Sequence, residues 1–456
     1  MASHLLTTRG ELAATLRLAG PLALANLLQM AIAATDVVFV ARLGEAELAA
    51  SSLAIAVYAL LLWVMSGLTG TVAALISAEL GSRRHAVREV RRSVRMALWL
   101  GIACGLAMLA LVPLAGPLMD LTGQDPAVAP RAARFLAILV FAMVPMLVAN
   151  VLRNFVSALG RPFLATAITA LMIGVNAAGN SILIYGRFGA PALGLEGSAV
   201  ATVITGCCFA LAYIVVIRAD RRLRRYAIWG YFFRPHWDRL ASLLRIGLPV
   251  AVTILAEGGI FSAAAFLMGA LGALPLAAHT LALQIAAVAF QVPFGIGQAA
   301  TIRVGWFLGA GQPQAAGRAG WTAIGIGTAF MGMTAMLMLF APRLLLSAYI
   351  NAGDPANAAL VALASSFMVV AAVFQLADGV QAVAMGALRG LQDTRVPMAF
   401  AIFGYWVPGM ACCLSLGFFT PLAGVGIWIG LALGLFVVAA LMLHRWAGRE
   451  RLGLTS

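Results

Sequence analysis

Long apolar stretches recur along the chain, and short segments between them collect most of the arginine. Twelve apolar stretches stand at roughly 14–41, 49–80, 95–119, 132–158, 163–185, 197–217, 242–270, 277–308, 318–346, 357–386, 397–418 and 424–444. A helix needs about 20 apolar residues to cross a hydrocarbon core of about 30 Å, and each stretch reaches that length. The pattern predicts an all-α integral membrane protein with twelve transmembrane helices. Polar residues inside the stretches follow helical spacing. In residues 20–44, GPLALANLLQMAIAATDVVFVARLG, the positions Asn26, Gln29, Ala33 and Asp36 share one helix face. The remaining positions are almost all Leu, Ile, Val, Ala and Phe. Such a helix shows lipid on one side and a polar surface on the other. A carboxylate inside hydrocarbon costs about 2.5–3.5 kcal/mol, so Asp36 marks either a functional site or a buried bond to a neighbouring helix.

The apolar pattern repeats. Shifted by 228 residues, LRLAGP (16–21) lies on LRIGLP (244–249), Gly44 on Gly272, Gly67 on Gly295 and Leu80-Gly81 on Leu308-Gly309, without a gap. Internal repeats of this size characterise secondary transporters. Six spans per half is an even number, so both halves start on the same side of the membrane. The repeats are then parallel, related by a pseudo-two-fold axis along the membrane normal. The expected organisation is an amino-terminal six-helix lobe (1–217), a basic linker (218–241) and a carboxy-terminal six-helix lobe (242–456) with a short basic tail. A central cavity is expected between the two bundles.

Composition narrows the class. Of 456 residues, 63% are hydrophobic and 10% charged, which no soluble domain of this size tolerates. The net charge of +14 raises the question of nucleic acid. The basic residues are all arginine, however, and they gather in connections on one side: Arg83, Arg84, Arg88, Arg91, Arg92 and Arg95, then Arg218 to Arg239, then Arg445, Arg449 and Arg451. That is the positive-inside pattern, with both termini cytoplasmic, membrane lipids as surroundings and no nucleic acid. Asp120 and Asp125 fall in an opposite-side link, while Arg42, Arg187 and Arg343 are exceptions near the outer surface. The N-terminal segment lacks the short apolar core and cleavage site of a signal peptide. The five cysteines lie inside apolar segments and offer neither a disulfide framework nor metal spacing. The histidines are scattered, and no nucleophile–base pair appears, so an enzyme is not expected.

Further polar groups stand in later spans. Asn176 and Asn180 lie one turn apart in the fifth, and Thr202 is early in the sixth. Glu257 falls on Gln29 under the 228-residue shift, so each half keeps an acid in its first helix at a different depth. Gln375, Asp378 and Gln381 follow at steps of three, and Gln284, Gln291 and Gln298 at steps of seven. The glutamines suit interhelical hydrogen bonds as well as they suit substrate contacts. Carboxylate, amide and hydroxyl oxygens together suit Na⁺, or an acid that takes up a proton among polar groups.

With VNAAGN (175–180), LPVAVTILAEGGIFSAAAFLMGALG (248–272) and FQLADGVQAVAMGALRGLQDTRVPM (374–398) in view, the chain resembles the multidrug and toxic compound extrusion (MATE) family, in its NorM-like bacterial branch. The resemblance runs over essentially the whole chain. It implies a multi-pass protein of the bacterial inner membrane that exports drugs or toxic organic cations in exchange for Na⁺ or H⁺ by alternating access, with no cofactor. It implies that Asp36, Asn176, Asn180 and Thr202 form an amino-lobe coupling site and that Glu257 and Asp378 are the carboxy-lobe acids. Pro21 matches the family's bending proline in helix 1, and Gln29, Gln284, Gln291 and Gln375 are candidate cavity contacts. Asn180 stands where some of the family carries an aspartate, which leaves less negative charge there. The alternative is a flippase for lipid-linked oligosaccharides from the wider superfamily, whose pyrophosphate would call for several basic cavity residues.

Overall fold

Burying backbone polar groups in hydrocarbon forces each spanning segment to satisfy its own hydrogen bonds, and helices do so. The computed structural model describes residues 8–82, 86–110, 112–114, 117 and 128–455, and no strand occurs among them. Twelve helices are long and apolar enough to cross a membrane: α1 (Arg9–Ala41), α2 (Glu45–Ser82), α3 (Val87–Ala110), α4 (Ala129–Ala158), α5 (Pro162–Tyr185), α6 (Leu195–Ala219), α7 (Trp237–Leu271), α8 (Ala273–Gly309), α9 (Pro313–Phe340), α10 (Pro355–Gly390), α11 (Arg395–Phe418) and α12 (Ala423–Ala447). All twelve expected spans are present. The ninth was expected to run to 346, but the helix stops at Phe340 and a short helix, Pro342–Leu346, begins separately. Pro342 is the reason: it has no N–H to donate, and its ring clashes with a preceding helical carbonyl. Among described residues α3 ends at Ala110, short of the expected 119. Arg83, Arg84, Asp120 and Asp125 lie outside the described residues.

Contacts divide the chain into two compact units, Leu24–Ala251 (the amino unit) and Met1–Ala23 with Val252–Ser456 (the carboxy unit). The units part company with the lobe boundaries read in chain order at the starts of α1 and α7. The chain changes unit after Ala23 in α1 and after Ala251 in α7, positions matched by the 228-residue repeat. Each lies two residues past a proline inside its helix, Pro21 and Pro249.

Within each unit, glycines let helices approach closely, as expected where lipid offers no hydrophobic drive to association. In the amino unit a Cβ on Gly197 of α6 would sit 2.4 Å from the Leu183 carbonyl oxygen of α5. In the carboxy unit a Cβ on Gly386 of α10 would sit 2.3 Å from the Gly297 carbonyl oxygen of α8, and Thr301 donates its hydroxyl to the Gly386 carbonyl at 2.8 Å.

The basic connection between α6 and α7 is ordered by arginines of the amino unit. Arg91 donates to the Tyr226 carbonyl at 2.7 Å, Arg95 to the Gly230 carbonyl at 3.1 Å, and the Trp99 indole to the Phe232 carbonyl at 3.1 Å. Arg239 forms ion pairs with Glu79 at 2.7 Å and Glu89 at 2.6 Å. Asp220 caps the short helix Arg221–Arg224. Burial pushes its carboxyl up, but the backbone N–H groups of Arg222 and Leu223 and the charges of Arg161 and Arg222 outweigh that and hold it below the usual range.

Candidate functional site

Asp36 is the last polar residue on the inward face of α1, and it is 9% exposed. The α5–α6 contact decides what meets it. Gly179 of α5 lies against Ala201 of α6, where an added Cβ would be 3.2 Å from the Ala201 Cβ. That close approach places the flanking Asn176, Asn180 and Thr202 around one carboxylate. Asn176 Nδ2 donates to Asp36 Oδ1 at 2.9 Å, and Asn180 Nδ2 to the same oxygen at 2.7 Å. The Thr202 hydroxyl stands 3.4 Å from Oδ2 and 3.1 Å from the Ser198 carbonyl of its own helix, and its single proton serves one of the two at a time. Asn180 Nδ2 also reaches the Asn176 carbonyl at 3.0 Å and Asn176 Oδ1 at 3.3 Å. Three acceptors around one nitrogen fix which end of the Asn180 amide faces the acid. Its Oδ1 is then buried without a hydrogen-bond partner. Tyr58 of α2, absent from the sequence reading, is buried within electrostatic reach of Asp36.

Further along the same face of α1, a guanidinium replaces the acid. Arg153 of α4 donates to Gln29 Oε1 at 3.2 Å and to Asn26 Oδ1 at 3.3 Å. Two arginines of the spans turn to helix 1. Arg153 turns to amides of α1, and Arg303 of α8 donates Nε to Glu11 Oε1 at 2.9 Å and a second N–H to the other carboxylate oxygen. Glu11 lies in the first turn of α1 and is 2% exposed. Both arginines find helix 1 because its polar face continues over more turns than the acid alone reveals.

In the carboxy unit, Glu257 of α7 and Asp378 of α10 lie within electrostatic reach of each other and of Tyr405. Asp378 and Tyr405 are buried, and Gln381 is fully buried beside them. Gln381 approaches Glu257 and the Tyr405 hydroxyl without a hydrogen bond of normal geometry. Tyr405 reaches the site because α11 takes a π turn over Tyr405–Gly409, which includes Pro408. An inserted residue of that kind rotates one side chain onto a face that regular helical spacing would deny it. One turn beyond the acids, Phe261 and Phe374 meet edge to face at 6.0 Å, and Phe374 meets Trp428 at 5.6 Å.

The remaining sequence-predicted contacts scatter. Gln375 is fully buried and accepts from the Thr334 hydroxyl at 2.8 Å. Gln291 donates to the Ala287 carbonyl of its own helix at 3.3 Å, and Gln284 is exposed. Pro21 lies well inside α1, twelve residues after its start at Arg9. The sequence offered little warning of Tyr58, Tyr213 and Tyr405. A single tyrosine in an apolar span has no periodic signal, and only the neighbouring helices decide what its hydroxyl faces.

Chemically, the amino unit offers one carboxylate surrounded by donors, and the carboxy unit offers two carboxylates with a phenol. Among the described residues no group of three or more His, Cys, Asp or Glu forms a metal-binding cluster.

The MatE family model matches residues 21–182 and 249–414. The two matched stretches start at Pro21 and Pro249, one repeat apart. The chain is 45% identical over 444 residues to a probable multidrug resistance protein NorM of Mesorhizobium japonicum, covering 97% of this chain and 95% of that protein. It is 40% identical over 440 residues to a multidrug resistance protein NorM of Burkholderia vietnamiensis, covering 95% and 93%. Among solved structures, the outward-facing conformation of a MATE family multidrug resistance transporter of the MOP superfamily superposes with a TM-score of 0.86 at 21% identity, covering 100% of this chain and 99% of that one. A MATE crystal structure in the bent conformation gives a TM-score of 0.83 at 20% identity, covering 100% of this chain and 98% of that one.

Proposed function

Because the chain belongs to the MATE family, in its NorM-like branch, we propose that this multi-pass bacterial membrane protein is a multidrug efflux antiporter that expels organic, often cationic, compounds against an inward flow of cations. The twelve helices and the parallel repeat support alternating access between two lobes, 1–217 and 242–456, with both termini and the 218–241 linker on the cytoplasmic side. Asp36 with Asn176, Asn180 and Thr202 serves as one coupling site, and Glu257 with Asp378 as the other. Acids in a low-dielectric setting attract organic cations and the coupling ion alike, and their competition links the two fluxes. Gln29 and Gln284, both exposed, act as polar contacts for substrate.

Between Na⁺ and H⁺, the reading favours the proton at Asp36, and one observation carries it. Both amides turn donors toward the carboxylate. Na⁺ would require the two amides to rotate and present oxygen, because a cation needs acceptors. A proton needs only a lone pair on Oδ2, the carboxylate oxygen that neither amide engages. An oligosaccharide flippase would need several basic groups for pyrophosphate, whereas the polar face of α1 within the amino unit meets a single guanidinium.

The test is dye efflux from vesicles holding the full-length protein, with pH and Na⁺ gradients imposed separately. A pH gradient alone is expected to drive efflux. Efflux driven by Na⁺ alone would overturn the proton assignment, and indifference to both gradients would overturn antiport.

A further inference from the structure

Arg153 holds a charge that its surroundings leave uncompensated. Among the described residues it has no carboxylate within ion-pairing distance, and its hydrogen bonds go to two neutral amide oxygens. At 3.2 and 3.3 Å these are long for a guanidinium, whose bonds to carboxylate oxygens settle near 2.7–2.9 Å. Two buried donors stand in the same cluster. Asn26 is 4% exposed, its Oδ1 is taken by Arg153, and its Nδ2 has no partner. Tyr213 of α6 is 1% exposed, its hydroxyl has no partner, and it lies within electrostatic reach of the guanidinium. Gln29, by contrast, is exposed, so the cluster opens on one side.

The internal repeat sharpens the point. Gln29 of α1 corresponds to Glu257 of α7. In the amino unit that position meets the Arg153 guanidinium of α4; in the carboxy unit it meets Gln381 and Asp378 of α10. The matched places carry opposite charge. An aspartate or glutamate at position 29 would neutralise Arg153, and the chain has glutamine there. Asp36 is seven residues further on, about 10 Å along the helix, and already accepts from two amides.

We infer that Arg153, Asn26 and Tyr213 form an oxyanion subsite that takes the carboxylate of an amphipathic substrate, with Gln29 at its mouth. The inference rests on the efflux reading and adds a substrate class to it, since an acidic site alone would accept only cations. One guanidinium flanked by neutral donors suits a monoanion. A carboxylate would replace the two amide acceptors with a charged, two-pronged one that matches the planar fork of arginine. A diphosphate would leave most of its charge unmet.

Two dyes separate the subsite from the rest of the transporter: rhodamine B, a cation with a free carboxylate, and its ethyl ester, the same cation without one. Binding of each to the purified full-length protein is followed by fluorescence anisotropy, and the ratio of the two dissociation constants is the readout. Arg153→Gln is expected to shift that ratio about tenfold against rhodamine B, the weight of one charge-assisted contact. Tyr213→Phe, which removes a single oxygen, should shift it in the same direction by about threefold. Arg153→Lys keeps the charge and should restore part of the preference. A ratio unmoved by Arg153→Gln, including equal weakening of both dyes, would overturn the subsite and leave Arg153 a purely structural residue. Failure of both gradients to drive efflux, with the ratio shifting as expected, would remove the antiport reading and leave the subsite standing.

Discussion

At the scale of single residues, a buried carboxylate that accepts from two amides is sensitive to the smallest change. Asp36→Asn places a third amide beside Asn176 and Asn180 and removes the one negative charge. It should abolish gradient-driven efflux while the purified protein still binds substrate. Transport by Asp36→Asn with wild-type ion dependence would mean that another residue couples the ion. In the carboxy unit, Glu257→Gln and Asp378→Asn keep size and hydrogen-bonding capacity but remove charge. Each should lower efflux by on the order of tenfold or more at normal expression, the usual size of a coupling between two ligands. Near-normal rates in both variants would detach these acids from transport. Asp36, Glu257 and Asp378 were legible because an acid in an apolar span is conspicuous. Arg153 was visible too, but its direction was not, since a long flexible side chain near a helix end can turn either way.

At the scale of helices, the close approach of α5 and α6 sets the amino-unit cluster. Gly197→Ala would thrust a methyl group into the Leu183 carbonyl, 2.4 Å away, and the backbones must part. Overpacking of this kind costs about 1–3 kcal/mol. A lower melting temperature in detergent is expected, together with weaker ion dependence, because Asn176, Asn180 and Thr202 move with these two helices. Unchanged melting would show that the contact is slack. Pro21 acts on α1 in another way. It cannot donate to the Arg17 carbonyl one turn back, which lowers the cost of bending α1 there. Pro21→Ala restores the donor and stiffens the helix. Exchange should slow, on the order of fivefold to tenfold, with the ion dependence of substrate binding unaltered. An exchange rate equal to wild type would make Pro21 a passive residue. Helix existence was readable from apolar runs of about 20 residues, but the ends were not. The stop at Phe340 needed Pro342 to be weighed above the hydropathy around it, and the π turn at Tyr405–Gly409 left no mark in the spacing.

At the scale of the whole molecule, the arginine distribution predicts which side each connection faces. A cysteine placed at the exposed Arg221 should resist a membrane-impermeant reagent added outside intact cells, and one at Leu193, between α5 and α6, should react. Ready labelling at 221 from outside would invert the proposed orientation. The arginines of this region also do local work, since Arg91 and Arg95 hold the linker backbone and Arg239 pairs with Glu79 and Glu89. A topological signal and a structural tether therefore occupy the same residues.

The sequence by itself determined the twelve spans, the duplication at 228 residues and the acids that mark the candidate sites, because each is a matter of solvent. Hydrocarbon selects long apolar helices and makes every buried charge stand out, and both effects act on one segment at a time. Only the tertiary structure decided which groups share a site. Asn176, Asn180 and Thr202 reach Asp36 through a glycine contact between two other helices. Arg153 faces Gln29 rather than water, and Tyr405 enters the carboxy-unit cluster on a π turn. Those outcomes depend on the rotation and approach of neighbouring helices, which short-range packing sets to within an ångström, and a one-dimensional pattern carries no information on either.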